Sequence, residues 1–502
     1  MKIKYIYLFG LLVAAAFTGC YKDKGNYSYS AINELDIIDT VAITTISTAP
    51  GDTVRLKPVI IQTTMRSEDN LAFEWKTYEN NPSTSYAMPE TIQSNARNLE
   101  LVIKSPFKLG ANYKIEYKVT DKQTGVSEVL IYNLSVVNKY AQGLMLLEDF
   151  NGTTDLSMIL PQFNNEIARK VLTSLNPGLQ LGKPVKLEMS NFTVSDGFSI
   201  DAKKLYVLSE NNGIELNYLT MVKQWDYNYL YHIAPAVVKP ERLFWTSTTV
   251  TGGMLASIGV AVNDKKIFAN QVGGFPGTKK WGQMLISPAG DYNYSVAPYI
   301  AGGTTYVGIV YDNQHKKFYS IGTTNLQAFP AAASTVFDMN NVGLEMLYMD
   351  SANVNREYNA IMKDAGGAPW YLRFNAVSTT QAPNITLIKS AMSAPGITAM
   401  TAAVSSSVTP HIYYASGGKL YRYETTSNTT VEQLTLPATE QVTKMKFLKS
   451  GSAQPNILVV ATWNGTQGRV YYYPVGSLGE ITAFSQKFEG FGKIVDIAFK
   501  IL

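Results

Sequence analysis

Repetition over residues 140–502 constrains this chain more than any other feature. Strand-like runs recur in pairs, each pair split by a polar turn, the second run often rich in Tyr or Phe, and a longer loop follows. Ser257 to Val262 precedes Lys266 to Ala269 across Asn263-Asp264. Val307 to Tyr311 precedes Lys317 to Ile321 across Asp312-Asn313, and His411 to Ala415 precedes Lys419 to Tyr423 across Ser416-Gly417-Gly418. Gly143 to Leu147, Asp196 to Ile200 with Lys204 to Leu208, Glu357 to Met362 with Pro369 to Phe374, and Asn456 to Trp463 with Arg469 to Tyr473 complete seven units. Spread over this span, seven units average about 52 residues, near the roughly 50 of a kelch-like blade. The pattern predicts a β-propeller of seven blades, with six or eight as the neighbouring counts. Only Asn164 to Thr173 has a mildly helical pattern. The apolar run Lys493 to Phe499 is expected to complete the first blade and join the two ends of the ring.

Composition agrees with an all-β chain. Aromatic residues make up 12%, with 32 Tyr, and packed twisted sheets favour such side chains, so most of the surplus is assigned to packing between blades. A hydrophobic share of 46% excludes a disordered chain. A net charge of +4 does not mark a nucleic-acid binder. Mean hydropathy of −0.05 excludes a chain that crosses a membrane many times.

Ahead of the repeats, residues 34–138 alternate with period two. Strands are expected at Asp36 to Ile38, Val54 to Ile61, Leu71 to Trp75, Asn98 to Ile103, Asn112 to Val119 and Val126 to Val137. Pro50-Gly51-Asp52 and Asp121 to Gly125 supply turns. Six or seven short strands in about 100 residues fit an immunoglobulin-like sandwich, with Trp75 in its core.

The N-terminus reads as an export signal. Lys2 and Lys4 precede an apolar run from Tyr5 to Phe17, which is too short to span a bilayer as a flanked helix. Phe17-Thr18-Gly19-Cys20 resembles a bacterial lipobox, with Phe17 where Leu is usual. Cys20 is the only cysteine, so the chain has no internal disulfide, and it stands where thiol acylation needs one. Several acyl chains anchor stably where one would not. Cleavage before Cys20 lowers the net charge by two, and Tyr21 to Ser30 follows as a polar tether. No second apolar run approaches 18 residues.

No catalytic pattern stands out. There is no Gly-x-Ser-x-Gly elbow, no His-Glu-x-x-His and no EF-hand loop. His232, His315 and His411 lie in different units, so neither a metal nor another cofactor is expected. The stretch Trp225 to His232 is dense in aromatic and polar groups, and Trp245 and Trp281 follow. Trp225, Tyr227, Tyr229, Trp245 and Trp281 are the candidate ligand-binding residues, since rings stack on sugars or peptides while nearby amides bond them. Packing of these rings over the propeller is the competing reading.

Two stretches carry a family resemblance. Tyr113 to Asp121, closing with Gly125, resembles the PKD-type sandwich, and Phe73-Glu74-Trp75 resembles its earlier aromatic strand. Cys20 to Tyr27, Ile32-Asn33-Glu34, Gly143 to Leu147 and Asp155 to Ile159 resemble the PKD-like lipoproteins of Bacteroidota. The resemblance implies an accessory lipoprotein of the outer membrane, exposed at the cell surface beside a SusC/SusD-type importer, and it brings no catalytic motif with it. The expected layout is a signal peptide over 1–19, a lipidated tether over 20–33, a PKD-like sandwich over 34–138 and a β-propeller over 140–502. The expected function is non-catalytic binding or docking of a glycan or peptide nutrient. A structural spacer or adhesin-like lipoprotein is the first alternative, and a surface hydrolase the second.

Overall fold

The computed structural model describes residues 32–81, 89–190, 192–194, 203–249, 255–270, 280–302, 307–322, 324–331, 336–376, 386–448 and 456–501. The signal segment, Cys20 and Asp196 to Ile200 lie outside the described residues. The chain divides into two compact units, one ending at Val137 and one beginning at Asn138. Among the described residues no helix is long and apolar enough to cross a membrane.

The first unit is a β-sandwich. One layer is a five-stranded sheet built on Leu71–Glu79, Asn112–Asp121 and Ser127–Val136, with Thr45–Thr48 and Thr91–Ser94 at its edges. Two strand pairs, Leu35–Ile38 with Val59–Gln62 and Thr53–Leu56 with Leu99–Val102, contribute Leu35, Ile37, Val54, Leu56, Leu99 and Leu101 to the same core. Alternation explains the packing: every second residue of Asn112–Asp121 is buried. Trp75 fills the centre, stacked on Tyr117 at 3.9 Å, and its indole N–H donates to the Ala96 carbonyl at 2.9 Å. The run expected as one strand from Val54 to Ile61 is two, pairing with different partners. Pro58 lacks an N–H, and the break falls at Lys57-Pro58. The Asp–Gly turn is tightly held: Asp121 Oδ1 accepts the Gln123 N–H at 2.8 Å, and Gly125 takes φ of 75°.

The second unit is a β-propeller. Its described residues form seven sheets of three or four antiparallel strands. Hydrophobic cores lie between successive sheets all the way round. One joins the first and second sheets through Leu156, Leu187 and Val207, and the next joins the second and third through Tyr206, Leu243 and Phe268. Further cores join the third to the fourth, the fourth to the fifth, the fifth to the sixth and the sixth to the seventh. The last returns from Val459 and Tyr472 of the seventh sheet to Leu144, Ile159 and Ile497 of the first. Closure is covalently out of order. The C-terminal strand Lys493–Lys500 pairs antiparallel with Gly143–Asp149, so the first sheet holds both ends of the unit.

The helical expectation over Asn164 to Thr173 is corrected. Glu166–Ala168 is an edge strand, and the only α-helix among the described residues is Val171–Leu175. Asn164 and Asn165 both take left-handed φ, which stops a helix from starting there. Thr173 instead ties the helix to the sheet, its hydroxyl donating to Asp155 Oδ2 at 2.6 Å.

Candidate functional site

The five candidate aromatics do not form one surface. Tyr227, Trp245 and Trp281 belong to the core between the second and third sheets, with 0%, 6% and 0% exposure. Trp245 pairs with Gly259 on the neighbouring strand, and its ring fills the space that a side chain at Gly259 would need. Its indole N–H donates to the Tyr206 hydroxyl at 3.1 Å. Trp281 sits within 6.1 Å, centroid to centroid, of Tyr206, Tyr231 and Trp245. The Tyr227 hydroxyl is likewise engaged, accepting from Tyr231 at 2.6 Å and donating to Asn263 at 3.3 Å. These three are therefore packing residues, corrected from ligand contacts, because large rings bury more apolar area there than any exposed position allows.

Trp225 and Tyr229 differ. Tyr229 lies at the surface on the 3₁₀ turn Tyr227–Leu230, and Trp225 is half-buried beside it. Their rings stack at 4.4 Å and 10°. The Lys280 ammonium lies 4.0 Å from the Tyr229 ring centroid, which is possible only on the face Trp225 leaves open. Both faces of Tyr229 are thus occupied, and Trp225 also packs against the core between the second and third sheets.

A second constellation lies where the innermost strands of the ring meet. The strands Pro184–Met189, Pro240–Thr249, Glu345–Ser351, Ala402–Ser405, Gln441–Leu448 and Lys493–Lys500 line this wall, with the segment from Tyr294 to Gly302 taking the place of the fourth sheet's inner strand through bridges to Asp312 and Ile309. Every sheet contributes a polar group. Asp496 comes from the first, Lys186 and Glu188 from the second, Arg242 from the third, Tyr299 from the fourth, Tyr348 and Asp350 from the fifth, Ser405 from the sixth and Lys444 from the seventh.

Electrostatics knit these groups together. Lys444 Nζ pairs with Asp496 Oδ1 at 2.9 Å, and Asp496 Oδ2 accepts the Leu187 N–H at 3.1 Å. Burial opposes the Asp496 charge, yet Lys444, Lys186 and Lys446 outweigh it and hold the carboxyl below its ordinary range. Burial, with Arg242 and Lys444 nearby, pushes the Lys186 ammonium down to about 8 against the pull of Glu188 and Asp496. The Tyr348 hydroxyl donates to Asp350 Oδ2 at 2.8 Å, and the Ser405 N–H reaches the same oxygen at 3.3 Å. Tyr299 donates to the Leu347 carbonyl at 3.1 Å.

No motif or spacing in the sequence marks this axial cluster. Its signal was a charge set inside an otherwise apolar strand: Lys186 and Glu188 in PVKLEM, Asp496 in KIVDIAFK, Lys444 and Lys446 in QVTKMKFL. Among the described residues no group of His, Cys, Asp and Glu is arranged to hold a metal ion.

Residues 20–184 match the model of the PKD-like family, about a third of the chain. No curated protein matches the chain. Among solved structures, a quinonprotein alcohol dehydrogenase-like protein of Bacteroides thetaiotaomicron aligns at 12% identity over 94% of this chain and 100% of that one, with a TM-score of 0.42. The β-propeller domain of Swd1 from Myceliophteria thermophila aligns at 10% identity over 57% of this chain and 68% of that one, with a TM-score of 0.25.

Proposed function

We propose that this chain is a non-catalytic lipoprotein of the outer membrane, anchored through Cys20, exposed at the cell surface, and acting as a binding or docking partner of a SusC/SusD-type importer for a glycan or peptide nutrient. The observation that carries this reading is where the PKD-like match begins. It starts on Cys20, the only cysteine, immediately after the apolar signal segment. A match that begins at this cysteine supports reading Cys20 as the first residue of a lipidated mature chain. The sandwich then follows a short polar tether, and the ring follows the sandwich.

A spacer or adhesin-like role is the second reading, and burial of Tyr227, Trp245 and Trp281 favours it, because those rings stabilise the ring unit. Capture of the chain by antibody from detergent-solubilised outer membrane separates the two. An importer channel and its lid protein are expected in the captured material from native cells and absent when Cys20→Ser is expressed instead. Capture of the wild-type chain alone, repeated under mild detergent, contradicts docking and leaves the spacer.

A further inference from the structure

The axis of the ring carries more positive charge than its acids neutralise. Lys186 Nζ and Arg242 Nη1 both approach one oxygen, Glu188 Oε1, at 3.7 and 3.6 Å. Neither distance is a hydrogen bond, and that oxygen has no hydrogen-bond partner. Arg242 Nε is also buried without one. Lys444 is paired with Asp496, and Lys446 is close enough to act on the same carboxylate. Asp350 is turned to its own neighbours, Tyr348 and Ser405. The side chains of Lys186, Arg242 and Lys444 keep 21%, 21% and 32% of their surface exposed.

We propose that the axis of the ring binds a small carboxylate-bearing solute, with the Arg242 guanidinium as its clamp and Lys186 and Lys444 on either side. A guanidinium presents a flat fork of donors that a carboxylate matches with two parallel bonds. Among the described residues that fork makes one long polar contact, to Glu188, and lies 6.0 Å from the Phe244 ring centroid. A monoanion fits the balance of charge, because Glu188, Asp496 and Asp350 oppose a phosphate dianion. A neutral sugar can accept from Arg242 only through hydroxyl oxygens, without the charge and the two parallel bonds a carboxylate supplies. A metal cation meets four positive groups, Lys186, Arg242, Lys444 and Lys446. The inference goes beyond docking: it concerns the chain alone and stands or falls without an importer.

Lys186 adds a pH signature. Arg242 and Lys444 face it with like charge, Glu188 and Asp496 with opposite charge, and its proton is held with a pKa of about 8. The solute's carboxylate stays ionised across neutral and alkaline pH. Raising the pH past 8 therefore removes one cation from the site and weakens binding.

Calorimetry on the full chain purified in detergent tests this at pH 7 and low salt. Sodium glucuronate and N-acetylglycine are titrated beside their neutral counterparts, glucose and N-acetylglycinamide. One or both acids are expected to bind, the neutral compounds are not, and the tighter acid identifies the source of the carboxylate. Arg242→Gln is expected to weaken that acid about tenfold or more, equivalent to roughly 1.4 kcal/mol, and Lys186→Gln several-fold. The unaltered chain is expected to lose affinity several-fold between pH 7 and 9.5, which requires no variant to fold. Failure of both acids to bind, equal binding of a neutral counterpart, full affinity in a folded Arg242→Gln, or a flat pH profile overturns the proposal.

Discussion

Lys500 is fully buried at the end of the closing strand, and burial alone acts on its charge. Its ammonium donates to the Tyr140 carbonyl, lies 3.6 Å from the Met221 sulfur and 4.9 Å from the Tyr218 ring centroid. Burial pushes it down to about 7 from an ordinary value of 10.5. Between those two values the unfolded chain holds the extra proton, so this group's effect on stability becomes more favourable as pH rises from 7 towards 10.5, by at most about 1.4 kcal/mol per pH unit. Lys500→Met is expected to flatten that rise, measured as the denaturation midpoint of each protein from pH 7 to 9.5. Equal slopes in the two proteins contradict the burial argument. The aromatic residues make a second contrast at this scale. Trp281→Ala is expected to cost about 3–5 kcal/mol, as a large buried ring should. Tyr229→Ala, at a half-exposed position, is expected to cost about 1 kcal/mol or less. Urea melts of both variants check this, and near-equal losses overturn the division between core and surface. The sequence could not make that division. Trp225, Tyr227 and Tyr229 alternate in one short stretch, and only the turn at Tyr227–Leu230 decides which ring points inward.

Strands were more legible than side chains. Turn residues and period-two alternation marked the hairpins at Lys266–Ala269, Lys317–Ile321 and Lys419–Glu424, because each follows a polar turn that is itself visible. The closing strand was legible for a different reason. An apolar strand at the chain's end needs a partner edge, and Gly143–Asp149 supplies it. Thr45–Thr48 carries no strand signal in the sequence, because its residues are mostly polar and its partner, Ser127–Val136, lies far along the chain in a parallel pairing. The axial cluster is unmarked for a related reason. Each inner strand contributes only one to three polar groups, and no spacing along the chain reports that six strands and the segment from Tyr294 to Gly302 meet. The closing strand also carries a prediction. Ile494 and Ile497 are buried in the core that joins the first and last sheets, and the Glu148 carboxylate accepts the Gly492 N–H at 2.6 Å just before them. Ile497→Ala is expected to cost about 2–5 kcal/mol. Removing residues 493–502 is expected to abolish cooperative unfolding of the ring, read by calorimetry. A truncated chain that keeps its transition contradicts closure by this strand.

At the scale of the molecule, the two units follow from two repeat lengths. Short alternating strands in about 100 residues fold over one core built on Trp75 and its neighbours. Units of about 50 residues cannot bury both faces alone, so they stack in a circle and share cores. This explains why the tyrosines are numerous: Tyr206, Tyr311, Tyr371, Tyr413 and Tyr423 are all fully buried between sheets. It also explains why the N-terminus carries the functional reading. Cys20 precedes both units in the sequence. Mass spectrometry of the N-terminal peptide from chain extracted out of the outer membrane tests that reading most directly. The expected peptide begins at Cys20 and carries a diacylglyceryl group on sulfur with a further acyl chain on its amine. A peptide that begins at Met1, or one whose Cys20 is unmodified, contradicts it.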